Sequence, residues 1–564
     1  MKTKLLALII ALLLILPTFI FFLGDKMFTF HDETQIANLH QYFKSLDFGQ
    51  FPPRWAPDMH FEYGSPFLSF NYQLPYYLGY LGHLVGLPLT AIFKLLLVLS
   101  VVIGAVGMFS LGLTLSGSAF FALAAAVLYA YTPYQAIDHF VRGTLGEVFA
   151  LALFPWIFLS AHLLKKKETV IRIVVLGLLL ALLIISHQPA ALLALPLFAF
   201  LSLPKIKTFI KSLALGLTVS AYYWVPVIFE KDLIKDTAPF NYASQFPFIK
   251  QLLYSPWSYL GANPFSSDTI SFQIGLVNLL VLLLATIIFP LQLLRRKRGR
   301  DPLPYLLLLS TFGVIFLMNI RSSFIWERLI LLQSIQFPWR LLMFTTFFTS
   351  VLFLYVIKII KKPWAKLFAL AVIIATIALN ISYFRPGLIV PYQDEYYLRR
   401  FLPQEVLLPG ETVSAVYLTY TEDYVPLSKN ATRPTALPET KLAVESGSAK
   451  ITVIDPNPYR YRAEVEGKKD SQLTFHTFAY PGWTVSIDGF SVKQTVDKIG
   501  AISFAVPSGK HQVVISYADT PLRLFSNIIS LGSFVFVASY LIYQLVTRHA
   551  ASAARSSKSS RSSD

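Results

Sequence analysis

Twelve stretches of this chain are apolar enough, and near enough to the ~20 residues a helix needs to cross a bilayer, to be candidate membrane spans. They are residues 5–23, 87–115, 118–133, 144–164, 169–186, 188–203, 208–228, 272–294, 303–319, 339–359, 364–384 and 522–546. Such a chain cannot bury its apolar surface in one soluble core. Composition agrees: 55% of residues are hydrophobic and 14% charged, against about 25% charged in soluble domains. A soluble multidomain enzyme and a disordered protein are both excluded. The chain has no cysteine, which excludes disulfides, thiolate metal sites and cysteine nucleophiles. The fold class expected is a mainly α-helical polytopic membrane protein with about 12 transmembrane helices. The first is expected to be retained, because Phe22-Leu23-Gly24 lacks a signal-cleavage pattern.

The formal net charge is +17. With the N-terminus placed in the cytoplasm and the spans alternating, the cytoplasmic side collects 22 basic residues and three acidic ones. Lys165, Lys166, Lys167, Lys205, Lys207, Lys211, the run 295–300 and Lys358–Lys366 are among them. Everything else carries 26 basic and 28 acidic residues. The excess is therefore the positive-inside signal of a plasma-membrane protein with both termini cytoplasmic, and no nucleic-acid partner is implied.

Three outer segments are too long for simple connections: a first loop at 24–86, a second at 230–271 and a third at 385–521. The third has 14 basic and 15 acidic residues, alternates in Tyr459–Glu466, and has turn signals at Pro481-Gly482, Asp488-Gly489 and Ser508-Gly509. It reads as an extracytoplasmic β-sandwich. The division expected is a transmembrane domain at 1–384, the sandwich at 385–521, a last span at 522–546 and a disordered basic tail at 547–564.

Candidate chemistry gathers at the outer ends of the helices. Phe30-His31-Asp32-Glu33 precedes apolar residues at helical spacing, which predicts a helix along the outer membrane surface with two carboxylates at its start. Asp32 and Gln35 would suit a helix cap, and either Asp32 or Glu33 could act as general base toward a hydroxyl. Asp58, His60 and Glu62 alternate, so on an extended segment they would share one face and could hold a divalent metal. Thr144 and Glu147 have the spacing of a capping box, but Arg142 has no such local explanation. His187 stands where one helix turns into the next. Lys94 lies about two turns into a span, where a charge normally faces protein or a polar cavity. Arg340 follows Pro338-Trp339 at a helix start, where a cation opposes the helix dipole unless an anion compensates. Carboxylate bases beside phosphate-neutralising cations suit group transfer from a lipid phosphate.

His31-Asp32-Glu33, Pro53–Asp58, Tyr134–Glu147, Ser186-His187 and Gln336–Arg340 make the chain resemble the GT-C superfamily of polyprenyl-phosphate-dependent glycosyltransferases. Within it, the chain is similar to bacterial membrane proteins described as 6-pyruvoyl-tetrahydropterin synthase-related, although no stretch suggests pterin chemistry. The region Tyr480–Gly489 resembles the C-terminal domains of related membrane glycosyltransferases. The resemblance implies an inverting enzyme. It would move a sugar from a polyprenyl-phosphate-linked donor to an envelope glycan, lipid or protein acceptor on the outer face of the plasma membrane. Asp32, with Glu33 next, would be catalytic, and Arg54, Lys94, Arg142, His187 and Arg340 would bind substrate. No second acid pair marks a metal site, so metal dependence stays open. A lipid or glycan flippase, and a non-catalytic envelope assembly protein, are the competing expectations.

Overall fold

The computed structural model describes residues 2–235, 241–294, 301–402 and 427–560. The basic run at 295–300 and part of the expected sandwich, 403–426, lie outside the described residues.

Helices dominate up to Phe401. At the centre stands the helix Leu342–Ile357, buried along its whole length. It is largely apolar, and its Thr345, Thr349 and Ser350 hydroxyls are absorbed by its own turns: Thr349 donates to the Thr345 carbonyl and Ser350 to that of Thr346. Asn278 reaches it from a neighbouring helix, donating to Thr349 at 2.7 Å. Around it pack Leu89–Ser116, Ala119–Ala130, Leu145–Lys166, Leu276–Leu294 and Leu303–Leu317.

Six helices among the described residues are long and apolar enough to cross a membrane, or nine spans if each of three bent pairs counts as one. The expected count of twelve is not confirmed among the described residues. The candidate at 5–23 is a helix only over Lys2–Ile15 before it tightens into 3₁₀ turns at Leu16–Thr18, where Pro17 cannot continue an α-helix. Val170–Ser186 is a shorter apolar helix. The candidate at 188–203 and the first part of that at 208–228 form one bent pair, broken by 76° between Leu201 and Leu203, and the remainder belongs to a separate helix, Ala221–Glu230. That bend lies beside the end of Leu145–Lys166, since Lys165 donates to the Leu201 carbonyl and Glu168 accepts from Thr208 and Lys211. Helix Ile206–Val219 then runs back alongside Val170–Ser186, with Gly177 and Gly216 in backbone contact. The lysines therefore cluster at one end of the bundle. Arg142, Ser186 and Arg340 lie at the other, about 33 Å away along a 22-residue helix.

Beyond Leu427 the chain is β-rich. One antiparallel sheet has the order Phe490–Ser491, Trp483–Ile487, Gly509–Tyr517, Arg460–Gly467, Ala449–Asp455. The other runs Thr495–Val496, Ala501–Val506, Ser471–Phe478, Leu442–Ser446. Alternation in Arg460–Gly467 puts Tyr461, Ala463 and Val465 inside, where they join Leu473, Phe475, Val485, Val513 and Ile515 in one core.

The first loop enters that core. Trp55 lies 5.7 Å from Trp483, 5.8 Å from Tyr480 and 5.6 Å from Tyr517, ring to ring. The loop thus plugs the sheets as well as covering the helices. A buried ion pair joins the same layers. Arg523, at the start of the last helix, donates through both Nε and Nη2 to Glu230 at 2.8 Å, and Tyr480 donates to Glu230 at 3.1 Å. The last helix runs over Pro521–Ser560, past the expected end of the span and through the tail expected to be disordered. Its Ala, Ser and Arg residues contain no helix breaker.

Candidate functional site

The helix Thr34–Asp47 follows His31-Asp32-Glu33, and two backbone bonds place its entry. The His31 N–H donates to the Val141 carbonyl at 2.9 Å, and the Asp32 N–H to the Arg142 carbonyl at 3.0 Å. Asp32 makes no side-chain cap: Gln35 bonds it only through the backbone, and the Gln35 amide oxygen accepts from Tyr72 and Tyr76. The capping box expected for Asp32 and Gln35 is therefore absent.

Arg142 ends a wound turn, Ile137–Arg142, and Gly143 follows at φ 68°, a left-handed position that only glycine adopts without strain. There is no room for a side chain either, since a Cβ on Gly143 would come 2.3 Å from the Phe30 ring. Gly143 thus lets the Arg142 turn close onto the turn carrying His31 and Asp32.

The buried Arg142 guanidinium is held between two buried carboxylates, 2.7 Å from Asp138 Oδ1 and 2.8 Å from Glu147 Oε2. Trp339 covers its face at 4.9 Å, and Tyr134 donates to Glu147. Arg340 approaches the same carboxylate, with Nε 3.5 Å from Glu147 Oε2, and donates to the Ile335 carbonyl at 2.8 Å and Gln336 Oε1 at 3.1 Å. The His187 ring caps the helix Gln188–Leu201, its Nδ1 accepting from the Ala190 N–H at 3.2 Å. That bond leaves the ring proton on Nε2.

The expected capping box of Thr144 and Glu147 is also corrected: Thr144 makes no side-chain cap. Glu147 instead lies between the two arginines. Sequence reasoning missed Asp138 and Tyr134 as site residues and read Glu147 only as a cap. Only the Asp138–Arg142 spacing of four residues could have signalled one of them.

The two first-loop acids differ. Glu33 pairs with Arg400 of the helix Asp394–Phe401. Asp32 is half-buried and keeps only the more distant attraction of Arg142, His31 and Arg340. Burial outweighs those cations and raises its carboxyl above the ordinary carboxylate range. Burial also raises Glu33, against the pull of Arg400.

Two expected substrate-binding residues stand outside this cluster. Arg54 donates to Asn527 at 2.9 Å and lies 3.6 Å from Asp519, tying the first loop to the start of the last helix. Lys94 donates to the carbonyls of Gly24 and Lys26 and lines an open groove of about 690 Å³ with Asp25 and Asp394. Lys94 itself is buried, its ammonium held by main-chain carbonyls at the edge of the groove.

The expected metal group is corrected as well. No three or more of His, Asp and Glu among the described residues could hold a metal. Asp58 is bonded to Gln41 and to Lys44, the latter at 2.8 Å, and His60, Phe61 and Glu62 are wound left-handed rather than extended, which removes the shared face.

The model of a membrane-protein family described as the 6-pyruvoyl-tetrahydropterin synthase related domain matches residues 69–386. The chain belongs to this family. The matched stretch of the 6-pyruvoyl-tetrahydropterin synthase-related domain includes Arg142, Glu147, His187 and Arg340, and Asp32 lies before it. No curated protein matches the chain. Among solved structures, that of the arabinofuranosyltransferase AftD from Mycobacteria is similar with a TM-score of 0.43 and 16% identity, over 70% of this chain and 28% of that one. A structure of a mutant of the same enzyme gives a TM-score of 0.42 and 16% identity, over 70% and 30%. The chain therefore spans less than a third of that enzyme's length.

Proposed function

We propose that this protein is an inverting glycosyltransferase of the GT-C type. In this reading it moves a sugar from a polyprenyl-phosphate donor to a cell-envelope acceptor on the outer face of the plasma membrane. The observation that carries the reading is the joining of Asp32 to Arg142 through their backbones, with Arg340 and His187 grouped around Glu147. A carboxylate raised toward working pH suits a general base, and guanidiniums in a water-poor site suit a leaving phosphate.

The reaction requires the acceptor oxygen to bond the sugar's anomeric carbon while the bond from that carbon to the phosphate oxygen breaks. Asp32 takes the acceptor's proton, and the lipid phosphate leaves toward Arg340. Attack opposite the departing phosphate inverts the anomeric centre. Glu147 holds the two arginines so that their mutual repulsion does not spread them. Residues 1–384 would form the catalytic membrane part and the sheets within 385–521 an extracytoplasmic sandwich, anchored by 522–546.

Purified protein in nanodiscs, supplied with a polyprenyl-phosphate sugar and envelope glycan, should transfer the sugar and lose that activity in Asp32→Asn. Transfer undiminished in Asp32→Asn overturns the assignment. A flippase would instead move a fluorescent lipid-linked sugar across vesicles without any transfer.

A further inference from the structure

The helix Leu303–Leu317 meets the segment Ile320–Arg328 at 93°, so if the first crosses the bilayer the second lies in its plane. The segment is two-faced. Inward, Trp326 is fully buried, donates to the Leu317 carbonyl at 3.0 Å and stacks on Tyr242 at 5.6 Å. Outward, Ile320 and Phe324 are about half exposed, followed by Leu329 at 54%, Ile330 at 74% and Leu331 at 63%. Phe246 packs edge-on against Trp326, and beyond it Phe248 and Ile249 are exposed as well. Two cations sit beside these apolar groups: Arg328 lies 5.9 Å from the Phe324 ring and Lys250 5.9 Å from that of Phe248.

A surface this apolar is unstable in water, and cations at its edge suit the phosphate level of a leaflet. The segment also leads into the candidate site. Gln333 donates back to the Trp326 carbonyl at 3.0 Å, and Ile335 and Gln336 hold Arg340. Gln336 is itself left-handed at φ 66°, a conformation that non-glycine residues adopt only when their surroundings hold them.

We infer that residues 320–333 form a hook docked into the outer lipid leaflet. Its apolar side chains lie among acyl chains, Arg328 and the neighbouring Lys250 lie among lipid phosphates, and this docking holds Arg340 in register with a lipid-borne substrate. The docking in a leaflet stands on the geometry, and the choice of the outer one on the proposed function. The link to a substrate rests on the proposed function.

The chain's lack of cysteine makes single labels unambiguous. Spin labels on Ile330→Cys, Leu331→Cys and the exposed Glu327→Cys would be read in nanodiscs of phosphatidylglycerol and phosphatidylethanolamine. Labels at 330 and 331 should collide with dissolved oxygen and be shielded from an aqueous nickel chelate, and the label at 327 should show the reverse. Aqueous behaviour at 330 and 331 overturns the docked hook. In transfer assays, Ile330→Asp with Leu331→Asp should raise the KM for a long-chain donor about tenfold more than that for a short-chain, water-soluble donor. Equal changes for both donors overturn the link to a lipid-borne substrate. If the unaltered protein transfers sugar from neither donor, the proposed function fails, and the labels alone decide the hook.

Discussion

The backbone N–H of Asp32 donates to the carbonyl of Arg142 at 3.0 Å, which fixes a first-loop carboxylate beside an arginine carried by the helical bundle. The Arg142 side chain is meanwhile neutralised by Asp138 and Glu147. One residue thus places the proposed base through its main chain and anchors a set of buried charges through its side chain.

That arrangement separates the two first-loop acids. Asp32→Asn is expected to lower the turnover of sugar transfer about 10²- to 10⁴-fold, the usual cost of losing a general base. Glu33→Gln weakens one ion pair of Arg400, so its loss should be less than about tenfold, on the scale of a partly exposed ion pair. Equal losses in the two variants would remove the distinction.

Arg340 should behave as a phosphate ligand. Arg340→Lys keeps the charge but loses the forked donor set, so transfer should fall strongly while membrane insertion is unchanged. Arg340→Ala should be worse, and saturating donor should restore only part of the rate. Wild-type donor affinity and turnover in Arg340→Ala would place the phosphate elsewhere.

Two glycines set the approach of the site's walls. A Cβ on Gly143 meets the Phe30 ring at 2.3 Å in a left-handed backbone, and one on Gly146 lies 2.7 Å from both the Ser186 carbonyl and the Tyr72 ring. Gly143→Ala should move Phe30 and with it Asp32, and Gly146→Ala should part the helices that carry Glu147 and His187. Both are expected to lose activity and to lower the melting temperature in detergent. Retention of both properties would show that the walls can yield.

The pH dependence has two separate signs. Protonated Asp32 cannot accept a proton, and burial raises its pKa. The acid limb of kcat/KM should therefore lie above the ordinary carboxylate range, with activity gained as pH rises through it and the limb abolished in Asp32→Asn. Lys441 donates to the carbonyls of Glu62 and His476, and burial pushes it down to about 8. The unfolded chain then binds more protons than the folded one between about 8 and 10.5, so stability should rise with pH across that window. Lys441→Met should flatten the rise.

Arg523 and Glu230 are both buried and doubly bonded. Arg523→Met leaves a buried carboxylate unpaired, which should cost about 3–5 kcal/mol. Arg523→Met with Glu230→Gln should recover much of it, as read by unfolding in detergent.

The sequence by itself determined that the chain is a polytopic membrane protein, that its positive excess falls on one side of the alternating apolar runs, and that a β-rich part follows. These follow from local properties: the length of apolar runs, the sign of flanking charges, and alternation in Tyr459–Glu466. It also picked out Arg142, His187 and Arg340 as residues lacking a full local explanation, and Asp32 as a candidate base that could equally cap its helix. Tertiary structure alone decided that Glu33 is paired with Arg400, that Glu147 links two arginines rather than capping its helix, that Arg54 grips the last helix, and that Trp55 fills the sandwich core. Each of these depends on which distant segment packs against the residue. A buried charge is defined by its partner, and in this chain the partners of Glu33, Glu147 and Arg54 come from other helices, brought into reach only when the bundle closes.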